Sequence, residues 1–304
     1  MKQRLARVVL SCLTACAFST GAFAITVIDD SGAAVTLAAP AQRVISLAPH
    51  VTEMLYAAGG GAKIVGAVTY SDFPPEAKQL PRVGDNKALD LERIVALKPD
   101  LIVVWRHGNA GRQLDRLRDL HIPLYFSEPR HLDDIGVTLT KLGTLLGTSP
   151  VADAAANTYR SNIAQLRARY AARPPVSVFY QVWDQPLMTL NGTHLISEVI
   201  ALCGGRNVFA KLEPLVPTVS TEAVLAANPE AIVTAAPGAT APDRPLPQLD
   251  TWRAWPSLDA VAHGNLFAID GDLINRPAPR IAQGAALLCQ DLETARSRRT
   301  GAAR

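Results

Sequence analysis

Positive charge is what the body of this chain lacks. The full sequence has 30 Lys and Arg against 27 Asp and Glu. Three of the cations (Lys2, Arg4, Arg7) sit at the extreme N-terminus, and four (Arg296, Arg298, Arg299, Arg304) fall in the last nine residues. Between residues 25 and 295 that leaves 23 cations against 27 anions, a net −4. A nucleic-acid binder needs a basic footprint, so that class is not expected. Long apolar runs are missing too. Nothing beyond the N-terminus approaches the roughly 20 consecutive apolar residues that a bilayer span requires. Catalytic signatures are absent as well: there is no G-x-S-x-G, no H-E-x-x-H and no P-loop. The six His (50, 107, 121, 131, 194, 263) show no paired-ligand spacing, so no metal site is expected. Gly59-Gly60-Gly61 follows a helical pattern instead of a strand, which makes it a helix C-cap and not a phosphate loop. Neither catalysis nor a resident cofactor is expected.

The composition that remains is that of a globular protein: 48 % of the 304 residues are hydrophobic and 19 % charged. The N-terminus has the layout of an export signal. A basic start is followed by a short apolar run from Val8 to about Phe18, then by small residues ending in Ala22-Phe23-Ala24, an A-x-A cleavage pattern. Residues 1–24 are therefore expected to be removed and the mature chain to be periplasmic. Leu13-Thr14-Ala15-Cys16 offers the alternative of a lipid anchor on Cys16. Cys12 and Cys16 belong to this segment, leaving Cys203 and Cys289 in the body. An even pair in an oxidising compartment favours a disulfide, the alternative being two buried apolar thiols.

The body repeats itself. Asp90-Leu-Glu92-Arg-Ile-Val-Ala-Leu-Lys-Pro99-Asp-Leu-Ile-Val-Val-Trp105 resembles Ser220-Thr-Glu222-Ala-Val-Leu-Ala-Ala-Asn-Pro229-Glu-Ala-Ile-Val-Thr. Each reads as a short helix with a first-turn Glu, a Pro-marked stop and a buried parallel strand. A second pair precedes them: strand 43–47 leads to a helix ending at Gly59-Gly60-Gly61, and strand 177–181 leads to a helix from about His194 ending at Cys203-Gly204-Gly205. Between the halves, Val151, Ala155, Tyr159, Ile163, Leu166 and Tyr170 share one helical face. At about 1.5 Å per residue this helix is roughly 33 Å long, a stiff connector. The expected fold is α/β, two Rossmann-like lobes bridged by one long rigid helix. The lobes are residues 25–148 and 175–295, the connecting helix is 149–174, and 296–304 is a disordered basic tail.

Three segments carry a specific resemblance: Tyr70-Ser-Asp-Phe-Pro-Pro75, Leu91-Glu-Arg-Ile-Val-Ala-Leu-Lys-Pro-Asp100 and Trp105-Arg-His-Gly-Asn-Ala-Gly-Arg-Gln113. From about Arg43 to about Leu292 the chain is similar to the periplasmic cobalamin-binding proteins of ABC-type vitamin importers, within the helical-backbone superfamily of class III periplasmic binding proteins. The resemblance implies capture of cobalamin or a related corrinoid in the cleft between the lobes. Handover to the permease of an ABC importer, powered by its ATPase, would follow. It implies a monomer.

The resemblance also implies roles. Tyr70, just after a strand, stacks on the corrin face, as a phenol ring suits a flat macrocycle. Trp105, at a strand's C-terminal end, is a second ring from the same lobe, and Trp183 is a cleft candidate from its post-strand position. The loop Asp272-Leu273-Ile274-Asn275-Arg276 matches the family's ligand loop, with Asp272, Asn275 and Arg276 suited to the amides that fringe a corrin. Glu92 and Glu222 match a pair of surface glutamates, one per lobe, that dock on permease arginines. They also suit a helix's first turn, where the dipole favours an acid. Cys203 and Cys289 fall where the family has its disulfide. The chain departs from the pattern at Asn86 and Val216, where the family has cleft tryptophans, and at Leu273 and Ile274, where it has aromatics. The alternative within the same fold is a haem or ferric-siderophore carrier, with His50, Tyr70 or Arg276 engaging the ligand.

Overall fold

The computed structural model describes residues 24–109, 111–238 and 246–301. Residues 1–23, which hold the expected export signal and Cys16, lie outside them. An antiparallel hairpin of β1 (Ile25–Ile28) and β2 (Ala34–Leu37) opens the chain. The first lobe then winds β3 (Val44–Ser46), α1 (Pro49–Ala57), β4 (Ile64–Ala67), α2 (Leu91–Ala96), β5 (Leu101–Trp105), α3 (Gly111–Asp119), β6 (Leu124–Ser127) and α4 (Leu132–Leu146). The connecting helix is α5 (Ser149–Tyr170). The second lobe follows with β7 (Val176–Gln181), a small hairpin of β8 (Trp183–Asp184) and β9 (Leu187–Met188), α6 (Leu195–Leu202), β10 (Gly205–Asn207), α7 (Thr221–Ala227) and β11 (Ala231–Ala236). Then come α8 (Pro247–Asp250), α9 (Asp259–Ala262), β12 (Leu266–Asp270), α10 (Gly271–Ile274) and α11 (Ile281–Gly301).

The two sheets have one topology. The first is ordered β4-β3-β5-β6 and the second β10-β7-β11-β12, every pairing parallel. In each, the chain steps from the first strand to one side and then returns to the other. The winding direction therefore reverses beside the C-terminal ends of β3 and β7, the place where open parallel sheets present ligands. The central strands are mostly apolar because helices cover both faces: Leu101–Val104 and Val176–Gln181 are all buried, with the polar Ser177 and Gln181 hydrogen-bonded. The repeated helix-Pro-strand element folds alike in both lobes. The Asp90 side chain accepts from Arg93 N–H to cap α2, and Ser220 Oγ accepts from Ala223 N–H to cap α7.

The connector is not a free rod. α5 packs along α4 so closely that a Cβ on Gly143 would stand 2.2 Å from the Ala152 Cβ. Its buried face is Ala152, Ala156, Tyr159, Ile163 and Tyr170, while Val151 is exposed. The stripe is thus rotated from the one drawn through Val151, because close helix approach selects the alanines. One continuous core runs from Val44 and Leu101 in the first lobe, through Tyr159 and Ile163, to Val176 and Leu288 in the second. Separating the lobes would expose part of it, at about 25 cal/mol per Å².

Cys203, at the end of α6, is bonded to Cys289 of α11 (S–S 2.04 Å). The expected disordered basic tail is corrected over residues 296–301, which continue α11; residues 302–304 lie outside the described ones. Arg296 is buried. Its Nε donates to Pro174 O at 2.7 Å and its Nη2 to Cys203 O and Gly204 O at 2.8 and 3.0 Å. Arg298 donates to Gly264 O and Arg299 to Pro175 O and Glu230. These arginines satisfy carbonyls left open after α6, after α9 and in the loop before β7, so the charge run is a set of caps.

Candidate functional site

The C-terminal edges of the two sheets face each other, and their loops meet. The first lobe contributes residues 68–80 after β4. Arg82 holds this loop from behind, donating to the carbonyls of Val68, Ser71, Ala77 and Lys78 at 3.0–3.3 Å, and Thr52 Oγ1 donates to Ser71 Oγ at 2.9 Å. So braced, Tyr70 adopts φ +63°, a left-handed conformation uncommon for a bulky residue. Its ring projects into solvent, 79 % exposed. Backbone strain held in this way by its surroundings is typical of binding loops.

The second lobe contributes α10 and the turn after it. Arg276 (12 % exposed) reaches across the cleft. Its Nη1 donates to Glu53 Oε1 at 2.9 Å and Asp72 Oδ1 at 2.8 Å, and its Nη2 meets Asp272 Oδ1 at 2.8 Å and Tyr70 O at 3.4 Å. Arg280 donates from Nε to Glu53 Oε2 at 2.8 Å and from Nη2 to Oε1 at 2.6 Å, a two-point grip on the carboxylate. Its guanidinium lies over the Phe73 ring, 3.7 Å from the centroid. Burial works against the charge of Arg276, but hydrogen bonds to Asp72 and Glu53 outweigh it and hold the group protonated. Glu53 is at the centre, its side chain only 2 % exposed.

Beside this cluster Trp105 packs against His50, ring centroids 5.3 Å apart and nearly perpendicular. The His50 ring is buried and its Nε2 has no hydrogen-bond partner. Burial, reinforced by the charge of Arg276, pushes it down to about 3, so the ring is neutral. Buried under Trp105, His50 is not placed to ligate a haem iron.

The structure brings only some of the residues singled out from sequence together. Tyr70, Asp272 and Arg276 come together at the lobe junction, and Asn275 is tied in behind them, its Oδ1 accepting from Tyr180 Oη at 3.3 Å. Trp105 is half-buried in the first lobe, and Trp183 stands on the β8–β9 hairpin, 59 % exposed, its indole N–H donated to Gln185 O. Asn86 sits on an exposed turn organised by Asp85, which accepts from Lys87 and Ala88 N–H. Ile274 is corrected: at 1 % exposure it belongs to the common core. Leu273 is half-buried, and Val216 packs partly buried on the core. The Nη1 and Nη2 groups of Arg276 are engaged by carboxylates and a carbonyl. Glu92 and Glu222 are exposed in the first turns of α2 and α7. Glu222 is held below the usual carboxylate range by its own backbone N–H and the Ser220 side chain. Beside Glu92 lies an apolar depression of about 440 Å³ lined by Leu91, Val95 and Ala96. Sequence reading passed over Glu53, Asp72, Phe73 and Arg280. Glu53 had a signal: it is an acid inside the apolar run His50-Val-Thr-Glu-Met-Leu55, where a charge cannot be buried without a partner.

Two like-wound lobes, one bridging helix within a common core and a cleft rimmed by rings and hydrogen-bonding groups define a two-lobed solute-binding protein. Residues 44–273 match the periplasmic binding protein family model, and the chain belongs to that family. It is 40 % identical to the vitamin B12-binding protein of Vibrio cholerae over 84 % of this chain and 91 % of that one. It is 41 % identical to the vitamin B12-binding protein of Yersinia pestis over 83 % and 86 %. The crystal structure of the periplasmic vitamin B12 binding protein of Vibrio cholerae superposes with a TM-score of 0.77, covering 84 % of this chain and 98 % of that one. A periplasmic haem-binding protein from a Roseiflexus species, 23 % identical with a TM-score of 0.71 and covering 84 % and 99 %, shares the fold alone.

Proposed function

We propose that this chain is an exported carrier that captures cobalamin or a related corrinoid between its lobes and hands it to the permease of an ABC-type importer, whose ATPase powers uptake. The observation that carries this reading is the 40 % identity to a vitamin B12-binding protein, sustained over 84 % of the chain. The chemistry of the cleft supports it. A corrin is a broad, largely apolar disc fringed with amides. Tyr70 and Trp183 offer exposed rings, one per lobe, suited to the disc. Asp272, Asn275 and Arg276 offer acceptors and donors suited to the fringe. The common core and the connecting helix favour a largely pre-formed cleft that closes little. Exposed glutamates Glu92 and Glu222, repeated at the same place in both lobes, suit docking on a basic permease surface, where complementary charge sets orientation and on-rate. The carrier is expected to act as a monomer without a cofactor of its own.

Titration of the mature protein with cyanocobalamin, followed calorimetrically, tests the reading. Saturable 1:1 binding at micromolar concentration or below is expected, and its absence would overturn the proposal. Haem added in parallel is the control: a ligated Soret band that moves on Tyr70 substitution would point to the haem-carrier alternative instead.

A further inference from the structure

Glu53 sits on α1 in the first lobe, 223 and 227 positions in sequence from the two arginines it binds in the second. Both of its oxygens are engaged, and its side chain is inaccessible to solvent-borne ligand. Asp72 also accepts from Arg276, but its side chain is 40 % exposed. Asp272, 51 % exposed, pairs with the same guanidinium, so the cluster holds one carboxylate buried beneath it and two at its rim. A guanidinium has five N–H donors in a fixed fork. Those on Nη1 are committed to Glu53 and Asp72, and those on Nη2 face Asp272 and Tyr70 O. An incoming amide carbonyl that takes an Nη donor displaces one of these acceptors, and the rim aspartates cost least to release, because water solvates them once freed. Asp272, four positions before Arg276 in the same lobe, stays beside the guanidinium, whereas Asp72 reaches it from the opposite lobe and shares Nη1 with Glu53.

From this geometry, and resting on the corrinoid reading above, we infer that Glu53 is the positioning residue of the cleft, fixing Arg276 from below through ligand binding, while Asp72 is a placeholder that a ligand amide replaces. Arg280 completes the anchor. It grips Glu53 at two points and is itself braced on the Phe73 ring, so the carboxylate cannot follow Arg276 outward. The two acids thus act in opposite senses on the same arginine. Removing the anchor leaves Arg276 free to swing and leaves two buried cations short of a counter-charge. Removing the placeholder frees one donor that a ligand would otherwise have to win.

The test is cyanocobalamin affinity of the mature protein and its variants, measured with thermal midpoints and well below them. E53Q keeps the side-chain volume and removes the charge; about tenfold weaker binding is expected, mainly through faster release. E53D, which restores the charge on a shorter arm, should recover part of that loss. D72A is expected to bind about threefold more tightly. Simple destabilisation cannot produce such a pair of opposite shifts. R280Q cuts two of the three hydrogen bonds to Glu53 and is expected to weaken binding in the same direction, so it serves if E53Q is not recovered folded. Wild-type affinity in the anchor variant, or anchor and placeholder variants shifting the same way, would overturn the inference while leaving the corrinoid reading intact. No binding by the unaltered protein would remove both.

Discussion

The backbone N–H of Leu132, the first residue of α4 in the first lobe, donates to the Glu198 carboxylate of α6 in the second at 2.9 Å. The His131 ring lies 3.5 Å from the same carboxylate, and Tyr159 Oη of the connecting helix donates to Leu132 O at 2.9 Å. One lobe thus satisfies an open N–H at a helix start in the other. Together with Glu53 in the cleft, this gives the lobe junction a polar tie at two separate places. E198A should lower unfolding stability by about 1 kcal/mol, the usual worth of a capping interaction. Urea denaturation reads it out, and an unchanged midpoint would mean the contact holds nothing.

Ring removal in the cleft should separate affinity from stability. Tyr70 and Trp183 are largely exposed, so truncating either costs little folding energy, within about 0.5 kcal/mol. If they cover the corrin faces, Y70A and W183A should each weaken cyanocobalamin binding by about tenfold, since an aromatic contact adds to the area it buries. Melting temperature and affinity measured on the same samples check this. Full affinity in both variants would remove the stacking role.

How much of this was legible in sequence depended on where each residue's partners lie. The repeated helix-Pro-strand element needs only its own neighbours, and α2–β5 and α7–β11 fold as their pattern says. Tyr70 was legible as a loop residue because Pro74 and Pro75 bound its segment, but nothing local announces its positive φ, which Arg82 holds from outside the loop. Glu53 and Arg280 were not legible as a pair, because their meeting depends on both lobes being built. Arg296 read as a frayed charge for the same reason: the carbonyls it satisfies belong to Pro174, Cys203 and Gly204. Val151 misled by hydrophobicity, whereas the true packing face of α5 is set by how near Gly143 lets α4 approach.

Glu92 and Glu222 should matter to transport and not to capture. Both are exposed in the first turns of their helices, and neither pairs with the Glu53–Arg276 cluster. The double variant E92A/E222A is expected to bind corrinoid as the parent does while losing most of its stimulation of transporter ATPase in proteoliposomes. The loss should be greatest at low ionic strength, where unscreened charge most favours docking. Undiminished stimulation would remove the docking role.

The disulfide closes a loop of 86 positions between α6 and α11. In the chain-entropy account such a closure is worth about 3–5 kcal/mol, by restricting the unfolded chain. C203S/C289S should therefore lower the unfolding free energy by that amount, with cyanocobalamin affinity preserved at low temperature because both cysteines are fully buried and cannot touch a ligand. Loss of affinity in a protein still folded at the assay temperature would assign the bond a role in shaping the site.

Buried His50 and half-buried Asp291 should give stability opposing dependences on pH. His50 is pushed down to about 3 by burial and by Arg276, from an ordinary 6.5. Below 6.5 the unfolded chain takes up a proton that the native ring refuses, so its contribution, complete above 6.5, is lost as pH falls towards 3, at up to about 1.4 kcal/mol per pH unit. Asp291 runs the other way. Burial pushes its carboxyl up from 3.8 to about 7, against the opposing pull of Arg298. Between those values the native state holds a proton that the unfolded chain releases, so stability declines as pH rises from about 4 to 7. Across the shared interval the slopes oppose each other, and the parent's own dependence from these two groups is shallow. Single variants should separate them. H50L is expected to become more stable relative to the parent as pH drops from 6.5 to 4.5, and D291N to gain on the parent as pH rises from 4.5 to 7.5. Denaturant midpoints at four pH values decide it: curves for either variant that run parallel to the parent's would show that its group does not titrate differently in the folded chain.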